Sequence, residues 1–300
     1  MIEINNVNKY FHGKKALDNI VATIQERSIF GLVGTNGAGK STLLRILSGV
    51  LEADSGQVLI DGESVYENPS AKAKLCFLSD TAYFFPNATA KTMAEYYGVV
   101  YPGFDFERFY QLLDKFHLER RRKISAFSKG MKKQISILLG ICTGTKYLFC
   151  DETFDGLDPV VRQAVKRIFA EEIQNRKFTP VIASHNLREL DDICDHIGLL
   201  HKGGILLSKE IEDMKFHIHK IQCVFQDPVK EAAVQKELDI VRWEKRGSLL
   251  TLIARGTRQE IYMCIEDKKP IFSEILPLSL EEIFISEMEV AGYGIKDFMG

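Results

Sequence analysis

The sequence has no long apolar run, no paired cysteines and almost no net charge, and each absence removes a class of protein. No segment approaches the roughly eighteen uninterrupted apolar residues of a membrane span. The opening stretch MIEINNVNKYFHGKK also lacks the apolar core of a secretory signal, so a role at a membrane calls for a separate spanning partner. The cysteines, Cys76, Cys142, Cys150, Cys194, Cys223 and Cys264, lie far apart with no Cys-x-x-Cys pair. That argues against a zinc site and a disulfide framework and predicts reduced, mostly buried thiols in a cytosolic protein. A formal charge of −2 and a pI near 6.4 give no field that would draw the chain onto a nucleic-acid backbone or an anionic membrane. Nucleic acid is therefore not an expected partner.

What is present suits an α/β protein. With 300 residues, 45% hydrophobic and 27% charged, the chain can bury one large α/β unit and a small second one. Short alternating apolar runs over residues 1–30 (Ile2, Ile4; Ile20, Ala22, Ile24) predict a small antiparallel sheet. Residues 28–33 read as a strand, followed by a glycine-rich loop and then a helix from Ser41 to Leu47. Residues 81–139 are aromatic and helical in pattern, with Met93, Tyr96 and Tyr97 on one face and Phe109, Leu112, Leu113 and Phe116 on the next. They predict an inserted helical subdomain. The apolar runs Lys146–Cys150 and Thr179–Ala183 flank a helical stretch from Pro159 to Gln174, the pattern of parallel strands joined by a crossover helix. From about residue 213 the pattern changes to two strand-like runs around Lys245–Ser248, a helix from Thr257 and a last helix from Ser279. The expected division is 1–212 and 213–300, the second part a small α/β domain without a chemical motif.

The chemistry begins at Gly34-Thr35-Asn36-Gly37-Ala38-Gly39-Lys40-Ser41-Thr42. Glycines at this spacing let successive backbone N–H groups curl round a phosphate at a helix N-terminus. Lys40 would reach the β- and γ-phosphates and Ser41 would hold Mg²⁺. Asp151 and Glu152 follow the apolar run Tyr147–Cys150, at the C-terminal end of an expected buried strand beside the nucleotide. Asp151 suits the Mg²⁺ shell and Glu152 the polarisation of an attacking water. His185, after Val181–Ser184, could donate a hydrogen bond to the γ-phosphate. His217 and His219 alternate on an expected strand but have no third ligand nearby, so a metal there is not the preferred reading.

In this order and spacing the motifs over residues 1–212 resemble the nucleotide-binding domain of ABC transporters. Phe127-Ser128-Lys129-Gly130-Met131 looks like the signature loop of that family, and Gly156-Leu157-Asp158 and Ser184-His185 match further family elements. The resemblance implies a P-loop NTPase core, a mostly parallel sheet flanked by helices, with ATP and Mg²⁺ as ligands. It also implies a head-to-tail partnership with a second such subunit, whose ATP would be met by Ser128, Lys129 and Gly130, with Asp158 beside the site. An integral membrane permease would be driven from its cytoplasmic face. Phe11, or alternatively Tyr10, stands where the family stacks an aromatic ring on adenine; a core aromatic is the other reading of either. Asp80 stands where the family has a glutamine near Mg²⁺ and the membrane partner. Tyr83–Pro86 follows it directly, near where the family docks that partner. Leu278–Phe284 is similar to the C-terminal stretch of ATPase subunits from bacterial exporters. The leading expectation is thus an ATP-hydrolysing exporter subunit. A soluble ABC ATPase acting on ribosomes or DNA, and an ATP-sensing module with little turnover, are the alternatives.

Overall fold

Strands β1 (Ile2–Phe11) and β2 (Lys14–Ile24) are joined by His12 and Gly13, both in the left-handed region at φ 48° and 79°. Two consecutive positive φ values make the tight turn whose twist matches an antiparallel pair. β1 also pairs with β4 (Ser55–Ile60), which carries the short β5 (Glu63–Ser64), so the opening sheet has the order β2-β1-β4-β5. This is the antiparallel sheet that the alternating pattern predicts. Its inward residues Ile2, Ile4, Val7, Leu17 and Ile20 share one core with Leu32, Leu43, Leu44 and Leu47. The computed structural model describes residues 1–290, which form two compact units, Met1–Ser208 and from Lys209 on.

The second sheet of the first unit is built around β3 (Phe30–Val33), which runs through the glycine loop into α1 (Lys40–Leu47). After the single-turn α2 (Pro69–Lys72) comes β6 (Leu75–Leu78). Further along are β7 (Tyr147–Asp151), α6 (Pro159–Asn175), β8 (Thr179–Ser184), α7 (Leu187–Ile193), β9 (His196–His201) and β10 (Gly204–Glu210). The sheet order is β10-β9-β3-β8-β7-β6, with β9, β3, β8, β7 and β6 parallel. Every residue of β3, β7 and β8 is buried, as expected of parallel strands covered on both faces. The crossover expected between Cys150 and Thr179 is α6. Pro180 is tolerated in an interior strand because pairing with β3 begins only at Val181, so its missing N–H removes no bond on that side.

Three helices lie between β6 and β7: α3 (Ala90–Val100), α4 (Phe106–Lys115) and α5 (Lys129–Ile141). Each start is capped by a side chain, Thr89, Asp105 and Ser128 respectively, which accepts from a backbone N–H of the first turn. Phe109, Leu112 and Leu113 are buried as expected. Of the face shared by Met93, Tyr96 and Tyr97 only Met93 is buried; Tyr96 is exposed, edge-on to Phe85 with ring centroids 4.9 Å apart. At Gly140 an added Cβ would stand 2.8 Å from Leu148 Cδ1, a close approach of α5 to the sheet that a side chain would prevent.

The second unit begins with α8 (Ile211–His217) and β11 (Ile218–Val224). It continues through α9 (Pro228–Glu237), β12 (Asp239–Arg246), β13 (Leu249–Arg255), α10 (Arg258–Asp267), β14 (Phe272–Leu276) and α11 (Leu280–Val290). Its antiparallel sheet has the order β12-β13-β11-β14, which with the succession β-α-β-β-α-β is the ferredoxin-like split arrangement. Ile221, Cys223, Val234, Leu250, Leu252, Ile261 and Ile265 form its core. His217 closes α8 while His219 lies on β11, so the two do not alternate along one strand. The final ten residues of the expected 213–300 domain lie outside the described residues.

Candidate functional site

The parallel strands put their C-terminal ends along one edge, and the chemistry collects there. Val33, which precedes the glycine loop, pairs with Ser184, which precedes His185; Asp151 pairs with Ala183; Leu78, two residues before Asp80, pairs with Cys150. Four loops distant in sequence thereby become neighbours at the strand ends, the crevice where open α/β sheets bind ligands.

The glycine loop leaves no room for side chains at two of its positions. A Cβ at Gly34 would sit 2.4 Å from the Leu200 carbonyl oxygen, and at Gly39, with φ 107°, 2.7 Å from that of Ala16. The loop is thus pressed against the β9 end and the β1–β2 hairpin. Lys40, at 4% exposure, donates from Nζ to the carbonyls of Gly34 at 2.8 Å and Thr35 at 3.2 Å, and lies 3.4 Å from Glu152 Oε1. Its ammonium is therefore aimed into the loop.

Ser41 Oγ donates to Asp151 Oδ1 at 2.9 Å. Burial raises the Asp151 carboxyl above the usual carboxylate range and the neighbouring Glu152 charge adds to that, against the lowering effect of the Ser41 bond. A buried carboxylate so disfavoured, beside a serine hydroxyl, suits a divalent cation of the Mg²⁺ type. Glu152 stands at φ 50°, in the left-handed region, with its N–H donating to the Ala183 carbonyl at 2.9 Å. Its Oε2 lies 2.9 Å from His185 Nδ1, which is also 3.3 Å from Asp155 Oδ2. Burial raises Asp155 in turn, while Ser184 Oγ donates to it at 3.1 Å.

Ala16, Asn36, Gly37, Gly39, Lys40, Ser41, Thr42, Asp80 and Glu152 line a cleft of about 350 Å³. Asp80 enters it from the loop after β6, exposed and 3.7 Å from Lys133 Nζ. The remaining sequence candidates lie elsewhere. Ser128 caps α5, accepting from the Met131 N–H, and Lys129 and Gly130 form the first turn of that helix. Asp158 caps α6 by accepting from the Val161 N–H at 3.0 Å. Gly130 and Gly156 come together, the nearest atom to a Cβ at Gly130 being the Gly156 carbonyl oxygen at 3.9 Å, so the two loops share one surface outside the cleft. Phe11 and Tyr10 are 43% and 46% exposed, which removes the core-aromatic reading of both. Asp155 and Lys133 are additions from the structure. No spacing in the sequence marks either one.

A family model described as ABC transporter matches residues 17–155. The methionine import ATP-binding protein MetN of Protochlamydia amoebophila is 30% identical over 230 residues, 71% of this chain and 67% of its own. The chain belongs to the ATP-binding proteins of ABC transporters. The ABC transporter ATP-binding protein YtrB of Bacillus subtilis is 29% identical over 96% of this chain and 98% of its own, so the likeness extends through the second unit. The bacitracin transport ATP-binding protein BcrA of Bacillus licheniformis is 27% identical over 72% of this chain and 71% of its own. Among solved structures, an ATP-binding subunit of an ABC transporter shares the fold with a TM-score of 0.65 at 22% identity, over 72% of this chain and 92% of that one. A dimeric ATP-binding cassette bound to ADP and Pi does so at 0.61 and 22%, over 70% of this chain and 99% of that one.

Membership makes the ligand of this ABC subunit ATP or ADP, and the loop fits its phosphates. The constricted glycines and the inward ammonium of Lys40 form a cradle for a polyphosphate and leave no space for bulkier loops. No helix among the described residues is long and apolar enough to cross a membrane.

Proposed function

We propose that this ABC subunit hydrolyses Mg-ATP and, paired head to tail with a second such subunit, drives a separate membrane permease in the export direction. The observation that supports it most directly is the meeting of Lys40, Glu152 and His185 at one strand edge, with Glu152 Oε1 3.4 Å from the lysine and Oε2 2.9 Å from the histidine. Lys40 and the loop N–H groups bind the β- and γ-phosphates. Ser41 and Asp151, with Asp80 from the same cleft, would hold Mg²⁺, which when bound neutralises phosphate charge and orients the terminal phosphoryl group. Glu152 orients a water and accepts its proton as it attacks. His185, with Nδ1 held by Glu152 and Asp155, keeps Nε2 for the γ-phosphate.

Pairing is supported by the position of Ser128, Lys129, Gly130 and Asp158. These lie outside the cleft of their own chain, on exposed helix starts, so in this reading they serve the ATP of a facing subunit. Phe11 remains the adenine-stacking candidate, at an exposed strand end. Permease docking is supported by an aromatic-rich cleft of about 420 Å³ lined by Tyr83, Phe84, Phe85 and Pro86, directly after Asp80. Tyr83 is 73% exposed there. Docking would hold the subunit at the cytoplasmic face of the membrane. Export is supported by the Leu278–Phe284 stretch and by the relative named for bacitracin transport, since moving an antibiotic outward protects a cell.

Purified protein with its cognate partner should show Mg-dependent ATPase well above a Glu152→Gln control; equal rates would sink the hydrolytic reading. A tagged Glu152→Gln subunit, recovered from its own cells in mild detergent with Mg-ATP, should bring down a polytopic membrane protein. Recovery of ribosomes or DNA-bound proteins instead would overturn the transport reading.

A further inference from the structure

We propose that Lys133 is a positioning residue, whose ammonium ties the Asp80 loop to the Glu152 peptide and so sets the angle of the hydrolytic carboxylate. The inference rests on the ATPase reading above and adds a residue and a coupling to it. Lys133 is on α5, five positions after the cap Ser128, with its side chain 20% exposed. Its Nζ donates to the Glu152 carbonyl at 2.8 Å and lies 3.7 Å from Asp80 Oδ1.

The Glu152 peptide needs such a hold. A non-glycine residue at φ 50° is held against its own steric preference, and that conformation lasts only where the surroundings fix it. Here the surroundings act from both sides: the Glu152 N–H is bonded to Ala183 of β8 and its C=O to Lys133 of α5. Without the second bond, φ of Glu152 is free to relax from its left-handed value, and the Cα–Cβ bond that carries the carboxylate swings with it, away from Lys40 and His185.

The two contacts of Lys133 differ in strength. A part-buried, charge-assisted bond of 2.8 Å outlasts an ion pair of 3.7 Å whose carboxylate is 63% exposed. The Glu152 arm is therefore the fixed one and the Asp80 arm the exchangeable one. Asp80 cannot donate a hydrogen bond when ionised, so the donor facing Glu152 comes from Lys133 instead. Any shift of α5 or of the Asp80 loop then reaches Glu152 through one ammonium.

The test compares Lys133→Met and Lys133→Arg, each with its melting temperature, steady-state kinetics and amide exchange. Lys133→Met should lower kcat about ten- to hundredfold, the size of one lost charge-assisted bond, with KM for Mg-ATP within about twofold and a Tm lowered by no more than a few degrees. Lys133→Arg should restore most of the rate. In the nucleotide-free protein, amides over residues 151–156 should exchange about tenfold faster in Lys133→Met, a loosening local to that segment. Wild-type exchange together with wild-type kcat overturns the inference, as does a loss shared by kcat, KM and Tm. If the wild type itself shows no ATPase, the hydrolytic reading fails, and the exchange comparison by itself decides whether Lys133 holds the Glu152 segment.

Discussion

His185 Nδ1 stands 2.9 Å from Glu152 Oε2, although the two residues are 33 positions apart and belong to different strand ends. Because one ring nitrogen is engaged by this carboxylate and by Asp155 at 3.3 Å, the other is directed away from both. An imidazole anchored in this way can meet a phosphate without first searching for an orientation.

Replacing His185 by alanine should therefore cost rate and spare binding. Turnover is expected to fall about 10²- to 10³-fold, as for loss of one preorganised donor, with Mg-ATP affinity within about threefold of wild type. Single-turnover ATPase together with nucleotide titration measures both. A parallel loss of affinity would place His185 in binding instead.

Gly34→Ala is expected to damage fold and function together. The new Cβ would stand 2.4 Å from the Leu200 carbonyl oxygen, a backbone atom that cannot swing aside. Overpacking of this kind costs about 1–3 kcal/mol, so thermal unfolding should fall by several degrees and the stabilisation given by Mg-ATP should shrink.

Asp151→Asn should do the opposite to the fold. Burial raises the Asp151 carboxyl, so the folded chain binds that proton more tightly than the unfolded one, and stability falls as pH rises above the ordinary carboxylate range of about 4. Asparagine has no such charge. In EDTA the variant should melt higher than wild type at pH 7, with the difference closing as pH approaches about 4. Added Mg-ATP should then stabilise the wild type much more than the variant. A lower melting temperature for the variant at pH 7 would contradict the assigned cause.

Gly130→Asp separates folding from pairing. The nearest atom to the added Cβ is 3.9 Å away, and an acidic residue in the first turn of α5 favours its dipole. The monomer should keep its Tm within the shift of about 0.5 kcal/mol typical of surface changes. In a Glu152→Gln background, however, light scattering should show the ATP-dependent dimer weakened or lost. A dimer as stable as before would remove Gly130 from the interface.

The local rules were readable in the sequence because they are short in range. Glycines before Lys40, apolar runs ending in Asp151 and in Ser184, and cap residues such as Ser128 constrain backbone within a few positions, so the order of strand, loop and helix follows from composition. The small antiparallel sheet and the inserted helices were legible for the same reason. Helical spacing puts Tyr96 on one face with Met93 and Tyr97 without saying whether anything covers it, and only the fold leaves Tyr96 exposed.

Tertiary structure decided what the chain brings together across distance. Only the strand order β9-β3-β8-β7-β6 puts Glu152 within contact of both Lys40 and His185, and only the packing of α5 against that edge sets Lys133 between Asp80 and Glu152. Neither Asp155 nor Lys133 bears a local mark, since a loop aspartate and a helical lysine are common on any surface. They gain a role from neighbours far away in sequence. The physical reason is that hydrogen bonds and ion pairs act over a few ångströms, so the sequence supplies the groups and their local conformations, while the fold alone fixes which groups come within that distance.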